Sequence, residues 1–344
     1  MREVYQILQD EISAFLAGPA GKFEDLAHRL FRFQYERNRP YRAYCEALAV
    51  TPGTVGSWVQ IPAVPTEAFK AREPLSCHPP EECGRIFLTS GTTQEVRGRH
   101  YFADTALYES SIRHGWVHAD LPTALRPLCL SRPPASLPDS SLAFMFGVLA
   151  AGPAPAAWLL TESGSIEPGP LREAASSGDP LILFSTALAL RHLFERYPGE
   201  IALPPGSWVF QTGGYKGLAT TYEPAALYDA ITQHLGVPPA RVINEYGMTE
   251  LSSASYALGL SNPHQAPPWL KVRTIHPETN LPNPPGEPGH LAFFDLANFN
   301  SVAALRTRDL GTALDDHRFV LEGRDPAASP RGCSRASDAH LQTP

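Results

Sequence analysis

Short apolar runs that alternate with helical stretches constrain the fold of this chain more than any other feature. The runs are Arg85–Thr89, Pro180–Phe184, Ser207–Gln211, Arg241–Asn244, His290–Asp295 and Arg318–Leu321. Between them, residues 105–116, 187–196 and 223–235 carry helical periodicity. Strands alternating with helices point to an α/β fold with parallel pairing. Ahead of this region, Val4, Ile7, Leu8 and Phe15, then Phe23, Leu26, Leu30 and Phe31, recur near helical spacing, so residues 1–50 read as helices. Pro and Gly dominate residues 51–84, where Thr66–Lys70 has the pattern of a helix start. From Asp325 the chain is rich in Pro, Ala, Ser and Arg and reads as a flexible tail. The expected organisation is a helical region over 1–84 packed on the main domain, a core over 85–324 and a tail over 325–344. With 344 residues, 43% of them apolar, the chain can bury a sizeable core.

Charge and cysteine usage exclude several classes. A net charge of -7 argues against non-specific nucleic-acid binding, so an anionic ligand needs a local site. Five cysteines, Cys45, Cys77, Cys83, Cys129 and Cys333, have no metal-ligand spacing. Their odd number, and a start without the apolar stretch of a signal peptide, point to a reducing cytoplasm. Cys45, Cys77, Cys83 and Cys129 precede or interrupt helical segments and read as packing residues. No residue between Asp139 and Glu162 is charged, yet Gly147, Gly152, Pro153 and Pro155 break any span-length helix there. A buried helix, a turn and a buried strand are expected in place of a membrane span. The chain has four lysines, Lys22, Lys70, Lys216 and Lys271, and none follows position 271.

Four segments carry candidate chemistry. In Leu88-Thr89-Ser90-Gly91-Thr92-Thr93 a strand runs into hydroxyl residues around a glycine. Gly91 lets the backbone approach a phosphate, and hydroxyls with successive N–H groups donate to its oxygens. An ordinary turn has the same composition. Asn244-Glu245-Tyr246-Gly247-Met248-Thr249-Glu250 puts an aromatic ring and a carboxylate at a strand end. That arrangement suits a stacked base and a held cation, or else a capped helix. Leu305-Arg306-Thr307-Arg308-Asp309-Leu310-Gly311 offers a carboxylate for ribose, or a surface ion pair. Gln211-Thr212-Gly213-Gly214-Tyr215-Lys216-Gly217 offers a glycine backbone against which a flat base lies, or a simple turn.

In this order the four segments resemble the adenylate-forming superfamily of acyl-CoA synthetases and aryl-acid ligases. Residues 89–93 look like its phosphate loop, and 246–250 match its Tyr-Gly-x-Thr-Glu element. Residues 306–311 look like its ribose-binding motif, and Gly323-Arg324-Asp325 like the hinge that ends its large domain. The chain is more specifically similar to the acyl-protein synthetases of bacterial luminescence systems, the long-chain-fatty-acid–protein ligases. That likeness rests on Phe33-Gln34, Tyr41-Arg42, Ile61–Thr66, Phe69-Lys70, Pro138–Leu142 and Gly213–Gly217, and it covers roughly residues 28–335.

The resemblance implies the large N-terminal domain of the adenylate-forming fold, with parallel or mixed sheets flanked by helices, lacking a full C-terminal lid domain. It implies ATP and Mg²⁺ as cofactors and a fatty or other hydrophobic carboxylic acid as substrate. The product would be an acyl-adenylate, with the acyl group then moved to a thiol. An acyl-acceptor protein or a reductase is the implied partner. Thr89, Ser90, Gly91, Thr92 and Thr93 would hold phosphates, Thr249 the α-phosphate and Glu250 the metal. Tyr246 would stack on adenine against Gly213 and Gly214, Asp309 would bind ribose, and Arg324 would reach ribose or phosphate. Phe144, Met145 and Phe146 would suit the acyl chain, although a core helix has the same composition.

Three departures stand beside this likeness. Gln94-Glu95-Val96-Arg97-Gly98-Arg99 replaces the usual Gly, Pro and Lys after the phosphate loop, leaving Arg97 or Arg99 to supply positive charge. Arg308 stands where a glycine usually precedes the ribose aspartate. The catalytic lysine of a further domain has no counterpart after Lys271, so Lys216 is either its substitute or a turn lysine. The luminescence family passes its acyl group to an enzyme cysteine near the C-terminus. Here Cys333, with Arg331, Arg324 and Arg335 near in sequence, is either that thiol or a tail residue without a role. Three other readings remain open: an acyl- or aryl-CoA ligase-like or amide-forming enzyme with a different acceptor, nucleotidyl transfer onto a sugar, and a degenerate nucleotide-binding partner subunit.

Overall fold

The structure is a computed structural model that describes residues 2–89, 96–152, 155–199, 201–213 and 224–325. Three helices open the chain: α1 (Arg2–Ala17), α2 (Phe23–Arg37) and α3 (Arg39–Ala47). In α2, Leu26, Leu30, Phe31 and Phe33 are buried along one stripe. Glu24 and Asp25 in its first turn and Arg37 in its last complement the helix dipole. The Asn38 side chain caps α3 by accepting from the Tyr41 N–H at 3.1 Å, with Pro40 in the first turn. Thr66–Lys70 forms a 3₁₀ helix, not the α-helix its pattern suggests. It follows the two-residue strand β1 (Val64–Pro65).

A hairpin comes next, β2 (Arg85–Leu88) with β3 (Arg99–Phe102), and it forms its own two-stranded sheet. The run at residue 85 is therefore a strand, but it lies outside the main sheet. Then follow α4 (Ala106–His118), β4 (Arg126–Cys129), α5 (Ser141–Leu149), β5 (Ala157–Trp158), α6 (Gly169–Ser177), β6 (Leu181–Thr186), α7 (Ala187–Arg196), β7 (Trp208–Thr212), α8 (Pro224–Leu235) and β8 (Val242–Tyr246). Neighbouring pairs within the order β5-β4-β6-β7-β8 are all parallel. Every residue of β6 is buried, so it reads as a continuous apolar run without alternation. Cys129 ends the strand β4 and interrupts no helix. The uncharged stretch after Asp139 gives α5, a turn and β5, as its glycines and prolines require. Among the described residues no helix is long and apolar enough to cross a membrane.

The remaining strands reverse the pairing. They are β9 (Ser255–Leu258), β10 (His264–Gln265), β11 (Leu270–Ile275), β12 (Pro288–Asp295), β13 (Ala304–Ala313) and β14 (Arg318–Arg324). The full order among described residues is β11-β12-β13-β14-β10-β9-β8-β7-β6-β4-β5, with β1 added parallel to β13, making twelve strands. Between β8 and β11 every pair along this order is antiparallel, so the sheet is mixed, in agreement with the parallel or mixed sheets expected of the fold. Connection length contributes: the links after β12 and β13, residues 296–303 and 314–317, allow hairpins but no parallel crossover.

Helices α1 to α3 cover the antiparallel part. Ile12, Leu30 and Phe31 share one core with Trp269, Phe293 and Phe294. Gln34 is buried, and its amide donates to the Asn298 carbonyl at 2.8 Å and accepts from the Ala303 N–H at 2.8 Å. The side chain of Asn38 donates to the Ser301 carbonyl at 3.2 Å. The first helices thus hold residues 298–303, the link between β12 and β13, in place. Asp325 accepts from Arg308 at 3.0 Å and contacts His290 Nε2 at 3.2 Å, so the chain is still anchored to the sheet at that point.

Candidate functional site

The carboxyl ends of parallel strands open a crevice where ligands of α/β sheets bind. Here β7 ends at Thr212 and β8 at Tyr246, with Thr212 paired to Glu245 across the ladder. Gly213 follows in the left-handed region at φ 95°, which a glycine adopts without strain. Gly214, Tyr215, Lys216 and Gly217 lie outside the described residues.

Tyr246, Asp309 and Arg324 meet, although the sequence spreads them widely. The Tyr246 hydroxyl donates to Asp309 Oδ2 at 3.0 Å. Asp309 on β13 is registered opposite Arg324 on β14, and their charged groups approach to 3.9 Å. Only 8% of Tyr246 is exposed. Its ring packs against Phe293 at 5.5 Å, Phe319 at 5.3 Å and His264 at 6.0 Å. Burial, with Asp309 beside it, drives the Tyr246 phenol far above its ordinary range. Two buried nitrogens here have no hydrogen-bond partner, Arg324 Nε and His264 Nε2. Burial pushes His264 down to about 4, so its ring is neutral.

Thr249 and Glu250 form the turn after β8, closed by the Leu251 N–H on the Met248 carbonyl, and are both buried. Their main chain is pinned from two directions. His100 Nδ1–H on β3 donates to the Thr249 carbonyl at 2.7 Å. Asn298 Nδ2 donates to the Glu250 carbonyl at 2.8 Å. His100 is completely buried and pushed down to about 4, so it is neutral. Its Nε2 then accepts from Ser301 Oγ at 3.0 Å. The Thr249 hydroxyl lies 3.0 Å from that of Ser141 at the start of α5.

Beyond Glu250, Asp295 gathers the next turn. It accepts from the Ser252 N–H at 2.9 Å, Ser253 Oγ at 2.7 Å and the Ala297 N–H at 3.0 Å. Ser253 Oγ also contacts Ser111 Oγ at 2.8 Å, and Trp269 Nε1 donates to both. Burial raises Asp295 to about 6 despite these donors. Sequence reasoning missed His100, Asp295, Asn298 and Ser301. The available signal was a carboxylate ending the apolar run His290–Asp295, with Asn298 three residues later.

At the hairpin, Thr89 closes the base of its loop. Its N–H donates to the Gly98 carbonyl at 2.9 Å, and its Oγ1 accepts from the Gly98 N–H at 2.7 Å. A Cβ on Gly98 would approach Thr89 Cγ2 to 2.9 Å, so this closure needs glycine. Ser90, Gly91, Thr92 and Thr93 lie outside the described residues, as does Cys333. Arg97 does not stand free as a substitute cation. Its guanidinium donates to the carbonyls of Thr89 at 2.8 Å and Leu88 at 3.3 Å, and to Asp139 at 3.0 Å. Arg99 is turned to the carbonyls of Ala71 and Arg72. Both arginines tie the loop's ends down, which corrects their expected role.

A cavity of about 30 Å³ lies between α4, α5 and the turn after β8. Ile112, Leu142, Met145 and Leu251 line it, with Ser141 and Glu245 as polar walls. Of the three residues suggested for an acyl chain, only Met145 reaches it; Phe146 is core, and Phe144 packs on Phe87 and Tyr108. The Thr212 hydroxyl donates to Glu245, and burial raises that carboxyl to about 7. Among the described residues no group of three or more His, Cys, Asp or Glu side chains could hold a metal ion. A protein-only metal cage is thereby excluded there. One carboxylate with substrate phosphates, the usual Mg²⁺ arrangement, is compatible with Glu250.

No family model matches the sequence, and no curated protein matches it. Solved structures do. An open conformation of 2-hydroxyisobutyryl-CoA ligase in complex with 2-HIB-AMP and CoA aligns with a TM-score of 0.64 at 16% identity, over 88% of this chain and 74% of that one. McyG A-PCP complexed with phenylalanyl-adenylate aligns with a TM-score of 0.52 at 17% identity, over 72% and 42%. An ATP-bound RpMatB-BxBclM chimera aligns with a TM-score of 0.52 at 16% identity, over 82% and 56%. The chain therefore spans about half the length of the last two. At such identity the likeness concerns the fold alone, which this chain shares with these structures.

Proposed function

We propose that this chain activates a carboxylic acid with ATP, forming an acyl-adenylate, and then passes the acyl group to a thiol. The observation that carries this reading is the convergence of Tyr246, Asp309 and Arg324 beside Thr249-Glu250, where the parallel strands end. The fold supports it, because solved structures with this fold hold 2-HIB-AMP, phenylalanyl-adenylate or ATP. An acid oxygen would bond to the α-phosphorus while the bond from that phosphorus to the bridging oxygen breaks and pyrophosphate leaves. Charge builds on phosphate oxygens, so positioning and electrostatic stabilisation dominate the barrier.

In this proposal Asp309 accepts from ribose hydroxyls, and Arg324, whose Nε has no partner among the described residues, donates to ribose or phosphate. Tyr246 borders the base together with Gly213 and Gly214. Thr89 holds the loop whose Ser90, Gly91, Thr92 and Thr93 contact phosphates, and Thr249 binds the α-phosphate. Glu250 would be the protein ligand of Mg²⁺, which supplies charge neutralisation at the phosphates. Lys216 is proposed as the cation that substitutes for a catalytic lysine.

For the thiol, burial pushes Cys45 to about 12 and Cys77 and Cys129 higher still, which makes them poor nucleophiles. Cys333 is the proposed acyl acceptor. ATP–pyrophosphate exchange across acids of graded length tests the first step: exchange that needs an acid is expected, and none with any acid contradicts it. Enzyme given ATP and labelled acid should acquire a hydroxylamine-sensitive label that Cys333→Ser abolishes; full labelling of that variant removes Cys333 from the proposal. The engagement of Arg97 and Arg99 with backbone carbonyls favours a second reading, a nucleotide-binding subunit without catalysis. That reading predicts ATP binding and no exchange.

A further inference from the structure

The cavity beside the Thr249 turn is lined mostly by apolar side chains, with Tyr108, Ser141 and Ser253 as hydroxyl groups and Glu245 as its one carboxyl. Ile112 and Met145 come from the two covering helices, and Leu251 follows the motif. Ser141 belongs to the same wall, and its hydroxyl also touches that of Thr249. A carboxylate held for reaction at Thr249 therefore directs its body into this space. Glu245 closes the space from β8, on the same face as Thr212. Gly247 makes room for the carboxyl, since a Cβ there would fall 2.2 Å from Glu245 Oε1.

A carboxylate offers about four acceptor positions, and the Thr212 hydroxyl fills one of those of Glu245. Burying such a group in an apolar pocket is unfavourable unless donors reach it. A purely alkyl acid supplies none, and an apolar residue would serve it better. The small cavity also has no room for a long alkyl chain unless Met145 or Ile112 moves.

We infer that the acid activated here is short and carries a hydrogen-bond donor, a hydroxyl or an amino group, which the Glu245 carboxyl reads. This inference rests on the proposed adenylation at Thr249 and Glu250, and it departs from a long fatty acid as substrate. Burial holds the Glu245 carboxyl near neutrality, at about 7. Its protonation then separates the two donors: an ammonium needs the ionised form, whereas a hydroxyl tolerates either.

The test is ATP–pyrophosphate exchange by the full chain on matched short acids: α-, β- and γ-hydroxy acids, the corresponding amino acids, and methyl-branched isosteres without a donor. Melting temperature and ATP binding are followed in parallel. The expected result is a preference of about 10²-fold in kcat/KM for one donor-bearing acid over its isostere, as for a site with a buried polar group left unpaired by the wrong substrate. Glu245→Leu should reduce that preference to within a few-fold and favour the isostere. Should that variant unfold, the near-isosteric Glu245→Gln serves: it should lose an amino preference outright and a hydroxyl preference in part. Equal use of donor-bearing acids and isosteres by the wild type, or an unchanged preference in the folded variants, overturns the inference while leaving adenylation intact. No exchange with any acid, although ATP binds, overturns the adenylation proposal and this inference with it.

Discussion

The two sides of the crevice differ in how their buried polar groups are satisfied. On the Thr249 side, His100 and Asn298 hold the two main-chain carbonyls, and Asp295 collects two donors from Ser252 and Ser253 and a third from Ala297. On the Asp309 side, a tight aromatic cluster surrounds Tyr246, yet Arg324 Nε and His264 Nε2 are buried without partners. A satisfied network keeps its shape without help, whereas an unpaired buried group is unfavourable until something reaches it. The first side is thus a scaffold that presets Thr249 and Glu250, and the second is where a bound molecule supplies missing bonds.

The largest expected effect breaks the scaffold. Asp295→Ala orphans the Ser252 and Ala297 N–H groups and takes one acceptor from the Ser253 hydroxyl, which keeps its contact with Ser111. Loss of about 3 kcal/mol of stability is expected in urea unfolding. A loss below about 0.5 kcal/mol would mean that the network contributes little. Asp309→Ala sharpens the contrast. It removes the Tyr246 acceptor, so stability should fall by only about 1 kcal/mol, while ATP affinity should drop about tenfold. Unchanged ATP affinity in the folded variant rejects the ribose assignment.

A third contrast is a pH dependence. Burial raises Glu245 to about 7 and Asp295 to about 6, both above the ordinary carboxylate range. The folded state therefore binds these protons more tightly than the unfolded one. Their stabilising contribution is complete below about pH 4 and is lost as pH rises to about 7. Each proton adds at most about 1.4 kcal/mol per pH unit to that fall. Glu245→Gln should flatten the upper end of the slope, between about pH 6 and 7. An identical slope in that variant excludes Glu245 as its source.

The same division decides how much the sequence revealed. The strands β6 and β7 announce themselves by the continuous apolar runs 181–184 and 208–210 because both of their faces are covered. By contrast, β13 carries Arg306, Arg308 and Asp309 along its length and reads as a motif, not a strand. In β11 alternate residues are half-exposed, too brief a pattern to stand out. Tyr246, Asp309 and Arg324 were legible because local motifs mark each of them. The partners of His100 are not local: Thr249 lies 149 positions away and Ser301 lies 201. No spacing in the sequence encodes such a contact, and only the packing of the β2–β3 hairpin against the post-β12 link brings it about.

Glu250→Gln tests the central claim most directly. The substitution keeps the size of the side chain and removes its charge. ATP binding and melting temperature should stay near those of the wild type, while acid-dependent pyrophosphate exchange should fall by roughly 10² or more, as for the loss of one electrostatic contact in the transition state. Near-normal exchange by the folded variant would contradict a catalytic site built around Thr249 and Glu250.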